Sequence, residues 1–163
     1  MPYYINVNIK NQSLQILENA SDQLVKEYRI ATAKNGPGEL FGSECTPRGK
    51  HIIRAKIGTG EAENTVFIGR RPTGELYSTN LRKAHPNRDW ILTRILWLSG
   101  KQPGFNRLGN VDTMRRYVYI HGCPEEDEMG IPSSHGCIKM RNADVIELFE
   151  MIPVYTPVEI IEH

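Results

Sequence analysis

No apolar run in this chain approaches the roughly 20 residues that a membrane-spanning helix needs. Charge of one sign is also missing. Twenty Lys and Arg stand against 19 Asp and Glu, for a net charge of +1, which argues against electrostatic partners such as nucleic acid or an anionic membrane surface. Cysteine is scarce and odd in number: Cys45, Cys123 and Cys137 do not make a disulfide framework, so these thiols should be free. The N-terminus alternates apolar and polar residues too quickly for a secretory signal. If Met1 is the native start, the protein is expected in the cytoplasm, or in the periplasm if a leader has been removed. Repeats, low-complexity tracts and linkers are absent too, so residues 1–163 read as a single domain, long enough to bury a core without disulfides.

What is present reads mainly as strand. Residues 4–9, 13–17 and 24–30 are short alternating runs divided by Asn, Ser, Asp and Gly, the pattern of hairpins. Asn35-Gly36-Pro37-Gly38 breaks the chain, and Cys45-Thr46-Pro47-Arg48-Gly49 turns into a strand over residues 51–55. In the arginine-rich middle, residues 89–100 are expected to be helical, with Ile91, Ile95 and Leu98 on one face and Gly100 as the stop. Residues 116–121 return to strand. Asn142 is expected to cap a second helix over residues 143–151, with Asp144 in its first turn. Pro153 ends that helix and residues 157–161 close the chain as a strand. The fold class is therefore mainly β with about two helices.

The chemistry concentrates between Ile120 and Met140, where His121-Gly122-Cys123 and His135-Gly136-Cys137 both occur. A cysteine is nucleophilic as its thiolate, and an imidazole nearby in space can take the thiol proton and return it to a leaving amine. Glycine beside the nucleophile lets a substrate carbonyl approach backbone N–H groups that stabilise an oxyanion. Taken alone, this spacing is weak support.

The larger pattern resembles the L,D-transpeptidase family, also called the YkuD domain. The resemblance is carried by a strand ending in His121-Gly122, a loop containing Gly130, and then Ser134-His135-Gly136-Cys137-Ile138-Lys139. Thr46-Pro47-Arg48-Gly49 is similar to the turn that opens the family's central strands. The resemblance implies a β-sandwich or barrel with Cys137 as nucleophile and His121 as base, oriented by the Gly122 carbonyl. It implies oxyanion-binding N–H groups at His135 and Gly136, and Ser134 supporting the loop. Ser134, Gly122 and Lys139 are the expected substrate-side residues. Lys139 stands where Arg or Asn is usual and lacks the planar fork of Arg; Cys123 stands where Thr is common. The implied substrate is a peptidoglycan stem tetrapeptide or muropeptide, cut between its third, diamino-acid residue and D-alanine through a thioester. No cofactor or metal is implied. Water as acceptor gives an L,D-carboxypeptidase of peptidoglycan recycling, the expectation that follows from a cytoplasmic location. An amine gives an L,D-transpeptidase forming cross-links.

Other readings stay open at this stage. Strand periodicity puts His121 and Cys123 on one face, so with His135 and Cys137 they could form a structural Cys2His2 zinc site. A redox pair of Cys123 and Cys137 is a third reading. Arg94, Arg115 and Arg116 are candidate clamps for stem-peptide carboxylates. The acidic run over residues 124–128 is expected to be a mobile loop tip, a lid or an amine-binding element. Trp90, Trp97 and Leu98 are expected to pack a helix. No feature bears on oligomeric state.

Overall fold

A computed structural model describes all 163 residues. Ten strands and two α-helices follow one another along the chain. β1 (Tyr3–Asn8), β2 (Ser13–Glu18) and β3 (Leu24–Ala31) form an antiparallel meander, followed by β4 (Gly49–Ile57) and the hairpin β5 (Thr65–Ile68) and β6 (Arg71–Leu76). Then come α1 (Thr79–Ala84), β7 (Ile91–Gly100), β8 (Tyr119–Gly122), β9 (Ile138–Met140), α2 (Asn142–Met151) and β10 (Pro157–Ile161). The sheet order is β4-β10-β1-β2-β3-β9-β8-β7, and β7 pairs again with β4. Eight strands thus close on themselves, which removes the edges that an open sheet would expose. The β5–β6 hairpin is attached outside this ring, through β5 to the start of β7.

Alternation fills the interior. Ile5 and Val7, Leu14 and Ile16, Tyr28 and Ile30, Leu96 and Leu98, and Val158 and Ile160 each come from every second residue of a strand and join one core of 20 buried side chains. Val145, Leu148 and Phe149 of α2 complete it, packing against β7 and β8. Fully burying such an aliphatic side chain stabilises the fold by about 1.5–3 kcal/mol. The mainly-β architecture, its barrel form and the number of helices agree with the sequence reading, as do the boundaries of β10.

One of those helices is misplaced. Residues 89–100 contain a ten-residue strand, β7, instead of a helix. β7 is buried on both sides: Leu96 and Leu98 enter the main core, while Ile95 packs with Phe67 and Tyr119. A strand apolar on both faces loses its alternation and cannot be told from a helix by period. Thr93 adds to the disguise. It sits at φ +75° in a bulge where the pairing with β8 shifts between Leu92 and Ile95, changing the phase of the pattern.

The expected cap at Asn142 also fails. Arg141 is the N-cap residue of α2, without a side-chain cap bond. The Asn142 amide instead accepts from Thr93 Oγ1 (2.7 Å) and donates to Asn64 Oδ1 (2.9 Å), tying the bulge to α2 and to the chain entering β5. This knot lies against Gly122, where a Cβ would stand 2.7 Å from Leu92 O, so the close packing of three elements requires glycine there.

His51 on β4 is fully buried, with Nδ1 at 3.0 Å from Gly49 O and Nε2 at 2.9 Å from Thr113 Oγ1. Burial pushes its pKa down to about 4, so the unfolded chain binds a proton that the native chain refuses between pH 6.5 and about 4. Its contribution is complete above pH 6.5 and is lost as pH falls through that window, about 3 kcal/mol in all. Urea midpoints between pH 7 and 4.5 should therefore fall, and His51→Gln should flatten the slope by about one proton.

Candidate active site

The parallel pairing of β8 with β9 assembles the site. Ile120 faces Ile138 and His121 faces Lys139 across the ladder. Ile120 and Ile138 point into the main core, so by alternation Tyr119, His121, Cys137 and Lys139 share the opposite face. His121, Cys137, Ser134 and His135 line one cavity of about 420 Å³, with Phe67, Arg70, Asp89, Arg116, Tyr117 and Tyr119 among its other walls. That volume falls in the range of small-ligand pockets.

The Cys137 thiol accepts from the Tyr119 N–H (3.3 Å) and donates to the Tyr117 carbonyl (3.5 Å). His121 is buried, and its Nδ1 lies 2.6 Å from Gly122 O. A carbonyl only accepts, so the proton sits on Nδ1 and Nε2 keeps a free lone pair for a proton. The Gly122 carbonyl thus fixes the ring's tautomer in this geometry. Burial lowers the His121 pKa, against the opposing Asp89 charge and the Gly122 bond. Burial also pushes the Cys137 thiol up to about 12, with the Tyr119 N–H and Arg116 opposing it. Both shifts favour the neutral pair over a resting thiolate–imidazolium pair.

The turn holding the thiol is closed by its own side chains. Ser134 Oγ donates to Cys137 O (2.5 Å) and accepts from Gly136 N–H (3.2 Å). Thr46 Oγ1 donates to Gly136 O (2.9 Å) and accepts from Ala33 N–H, connecting the turn to the strand entry that the Thr-Pro-x-Gly motif marks. Gly136 adopts φ +129° and passes Cys45 O so closely that a Cβ would lie 3.3 Å from it. With Gly136 N–H engaged by Ser134, the His135 and Cys137 N–H groups are the amides of this turn with no partner within the chain.

His135 is exposed at the rim, its Nδ1 3.9 Å from Asp89 Oδ2. A second cavity of about 430 Å³ adjoins there, sharing His135 and Asp89 with the first and lined also by Arg82, Arg88, Trp90 and Lys139. Lys139 does not reach out to solvent. Its Nζ pairs with Asp127 Oδ2 at 3.0 Å, and Asp127 also receives Arg82 at 2.9 Å. Burial would raise the Asp127 carboxyl, but the Arg82 bond and the Lys139 charge hold it below its usual range. Residues 124–128 are therefore pinned and not a free loop tip: Tyr77 bonds Glu126, and Arg141 donates to Glu125 O.

The remaining candidates separate. Cys123 is buried beside Ala31 and Met129, donates to Met140 O (3.2 Å), and is pushed up to about 12 by burial. With Cys123 turned away and His135 exposed, the four Cys and His side chains do not converge on a common point, which removes the geometric basis of the zinc reading. Arg94 bonds the carbonyls of Glu61 and Thr93, and Arg115 lines a different depression, so neither belongs to this cavity. Arg116 does line it, but its guanidinium is committed to Gly38 O, Ser43 Oγ and Cys45 O. Asp89 and Arg70 escaped the sequence reading, since loop and turn residues carry no periodicity that points them at a pocket; Tyr119 lay in the expected strand but was not singled out.

Residues 2–160 match the family model described as YkuD, L,D-transpeptidase catalytic domain. A Bacillus subtilis protein named "Putative L,D-transpeptidase YqjB" is 29% identical over 157 residues, spanning 96% of this chain and 69% of the relative. Among solved structures, Bdellovibrio bacteriovorus Bd1075 superposes with a TM-score of 0.61 at 16% identity, and an Enterococcus faecium L,D-transpeptidase with 0.59 at 19%. Each covers 99% of this chain, which spans 48% and 50% of their respective lengths; at such identity the likeness is one of fold.

A thiol held at about 12 alkylates through a small thiolate fraction that grows tenfold per pH unit. The iodoacetamide rate at Cys137, followed by peptide mapping, should rise with a slope near one from pH 6 to 9 without levelling. A plateau near neutrality would mean a resting ion pair.

Proposed function

The chain belongs to the YkuD family of L,D-transpeptidase catalytic domains, and from that membership we propose that Cys137 carries out acyl transfer on peptidoglycan stem peptides. The observation that carries this reading is the Cys137 thiol and the Nδ1-anchored His121 imidazole lining one cavity. His121 Nε2 takes the thiol proton as sulfur attacks the carbonyl carbon of the bond between the third, diamino-acid residue and D-alanine. The tetrahedral oxyanion is received by the unpartnered N–H groups of this turn, those of His135 and Cys137. As the C–N bond breaks, His121 returns the proton to the departing D-alanine amine, leaving a thioester on Cys137. Buried neutral partners suit this order, because charge develops only when substrate is present to share it.

The acceptor decides the product. A second cavity joined to the first at His135 and Asp89 has room for another stem, and the Asp89 carboxylate suits an incoming ammonium. This supports amine transfer, with water attack on the same thioester giving the L,D-carboxypeptidase product. Ser134 and Thr46 hold the nucleophile's turn, and Lys139 acts from behind it by fixing Asp127.

Mass analysis after incubation with a muropeptide tetrapeptide, with and without an amine acceptor, tests the reading. Loss of D-alanine with dimer or exchange products is expected, and Cys137→Ala should lower turnover at least about 10³-fold. Tripeptide alone in the presence of amine would select hydrolysis; unchanged turnover in Cys137→Ala would overturn the mechanism.

A further inference from the structure

Two arginines line the cavity that holds Cys137, and they differ in what they have left to offer. Arg116 is occupied by the loop carbonyls of Gly38 and Cys45 and by Ser43. Arg70 makes one hydrogen bond, Nη1 to Tyr119 Oη at 3.2 Å, and none of the protein's ion pairs includes it. A guanidinium has five N–H donors, so most of its capacity is unused.

Its position is held from several sides. The guanidinium carbon lies 4.9 Å from the Trp97 ring centroid and 4.7 Å from that of Tyr117. Trp97 is itself anchored by Nε1 to Met114 O (3.1 Å) and packs edge-on against Tyr119. The backbones of Tyr117 and Tyr119 contact the Cys137 sulfur, so the cradle of the guanidinium and the seat of the thiol are built from the same two residues. The local backbone adds an independent sign. Gly69 and Arg70 form a two-residue hairpin turn closed by Ile68 and Arg71, and both have positive φ, +56° and +64°. Such turns favour Asn and Gly, and a long side chain at the second position is locally unfavourable. A residue kept against its conformational preference beside a nucleophile points to use.

We propose that Arg70 is the specificity-determining residue of this site, binding a free carboxylate of the donor stem peptide. This rests on the acyl-transfer reading above. A weakly hydrated guanidinium supported on aromatic faces pairs well with a carboxylate in a partly enclosed pocket. A stem tetrapeptide offers two sources, the terminal carboxylate of D-alanine and a side-chain carboxylate on the diamino acid, and both present the same chemistry.

The test compares wild type, Arg70→Asn and Arg70→Lys on three stems: unmodified, amidated at the terminus, and amidated at the diamino-acid side chain. Asn suits the turn, so Arg70→Asn should retain the melting temperature of the wild type. Wild type should prefer the unmodified stem about tenfold or more over one of the amides, which identifies the carboxylate. In Arg70→Asn that preference should collapse, chiefly through KM, and Arg70→Lys should restore part of it. Wild-type turnover with no preference for either free carboxylate, or a preference that survives Arg70→Asn, overturns the assignment alone. So does an equal loss on all three stems, which would make Arg70 a prop for Trp97 and Tyr119. Absence of wild-type turnover, together with no calorimetric binding of the unmodified stem to Cys137→Ala protein, would remove the parent reading and this one with it.

Discussion

The register of two short parallel strands governs the rest of the site. β8 has four residues and β9 three, and Ile120 opposite Ile138 sets which face each neighbour occupies. A slip of one residue would send His121 or Cys137 into the aliphatic core and bring an isoleucine to the cavity. So short a ladder does not hold its register alone. β7 clamps β8 on one side, β3 pairs with β9 on the other, and the Asn142, Thr93 and Asn64 knot presses on Gly122 at the end of β8. Parallel neighbours cannot be joined by a tight hairpin; they need a crossover of a dozen or more residues. Residues 123–137 are that crossover, which explains physically why the two His-Gly-Cys segments are spaced as they are.

Burial and electrostatics act together on what this register delivers. Enclosure lowers the imidazole's affinity for a proton and raises the thiol's, so the resting site holds both groups neutral. The charged groups nearby are mostly compensated: Lys139 and Arg82 by Asp127, Arg88 by Glu75, Arg116 by backbone carbonyls and Ser43. Paired in this way they brace the crossover and the adjoining cavity without imposing a strong field on the thiol. Arg70, and Asp89 at the rim, are the exceptions, and the Asp89 charge favours the protonated form of both His121 and Cys137.

Much of this was legible in the chain. Strands with one core-facing side announce themselves by period two, as in β1, β2 and β10. The Ser-His-Gly-Cys turn carries its own explanation, since Ser134 and Gly136 are needed for its internal bonds and its φ. β7 was misread because both its faces are buried and a bulge at Thr93 shifts its phase. Asn142 was misread because a residue suited to capping is equally suited to a buried amide knot, and local sequence does not distinguish them. The arginines divided differently from expectation: Arg94 and Arg115 lie elsewhere, and Arg116 serves the loop.

Sequence alone determined the β-rich class and the family, and it singled out Cys137 and His121 as the candidate pair, because these reside in local periodicity and in short motifs. Only tertiary structure decided that Cys123 turns away from Cys137, that Lys139 is buried against Asp127, and that Arg70 and Asp89 face the cavity. Those outcomes depend on which strands become neighbours and in what register. Pairing between residues far apart in the chain is the result of closing the barrel as a whole, and no short segment contains it.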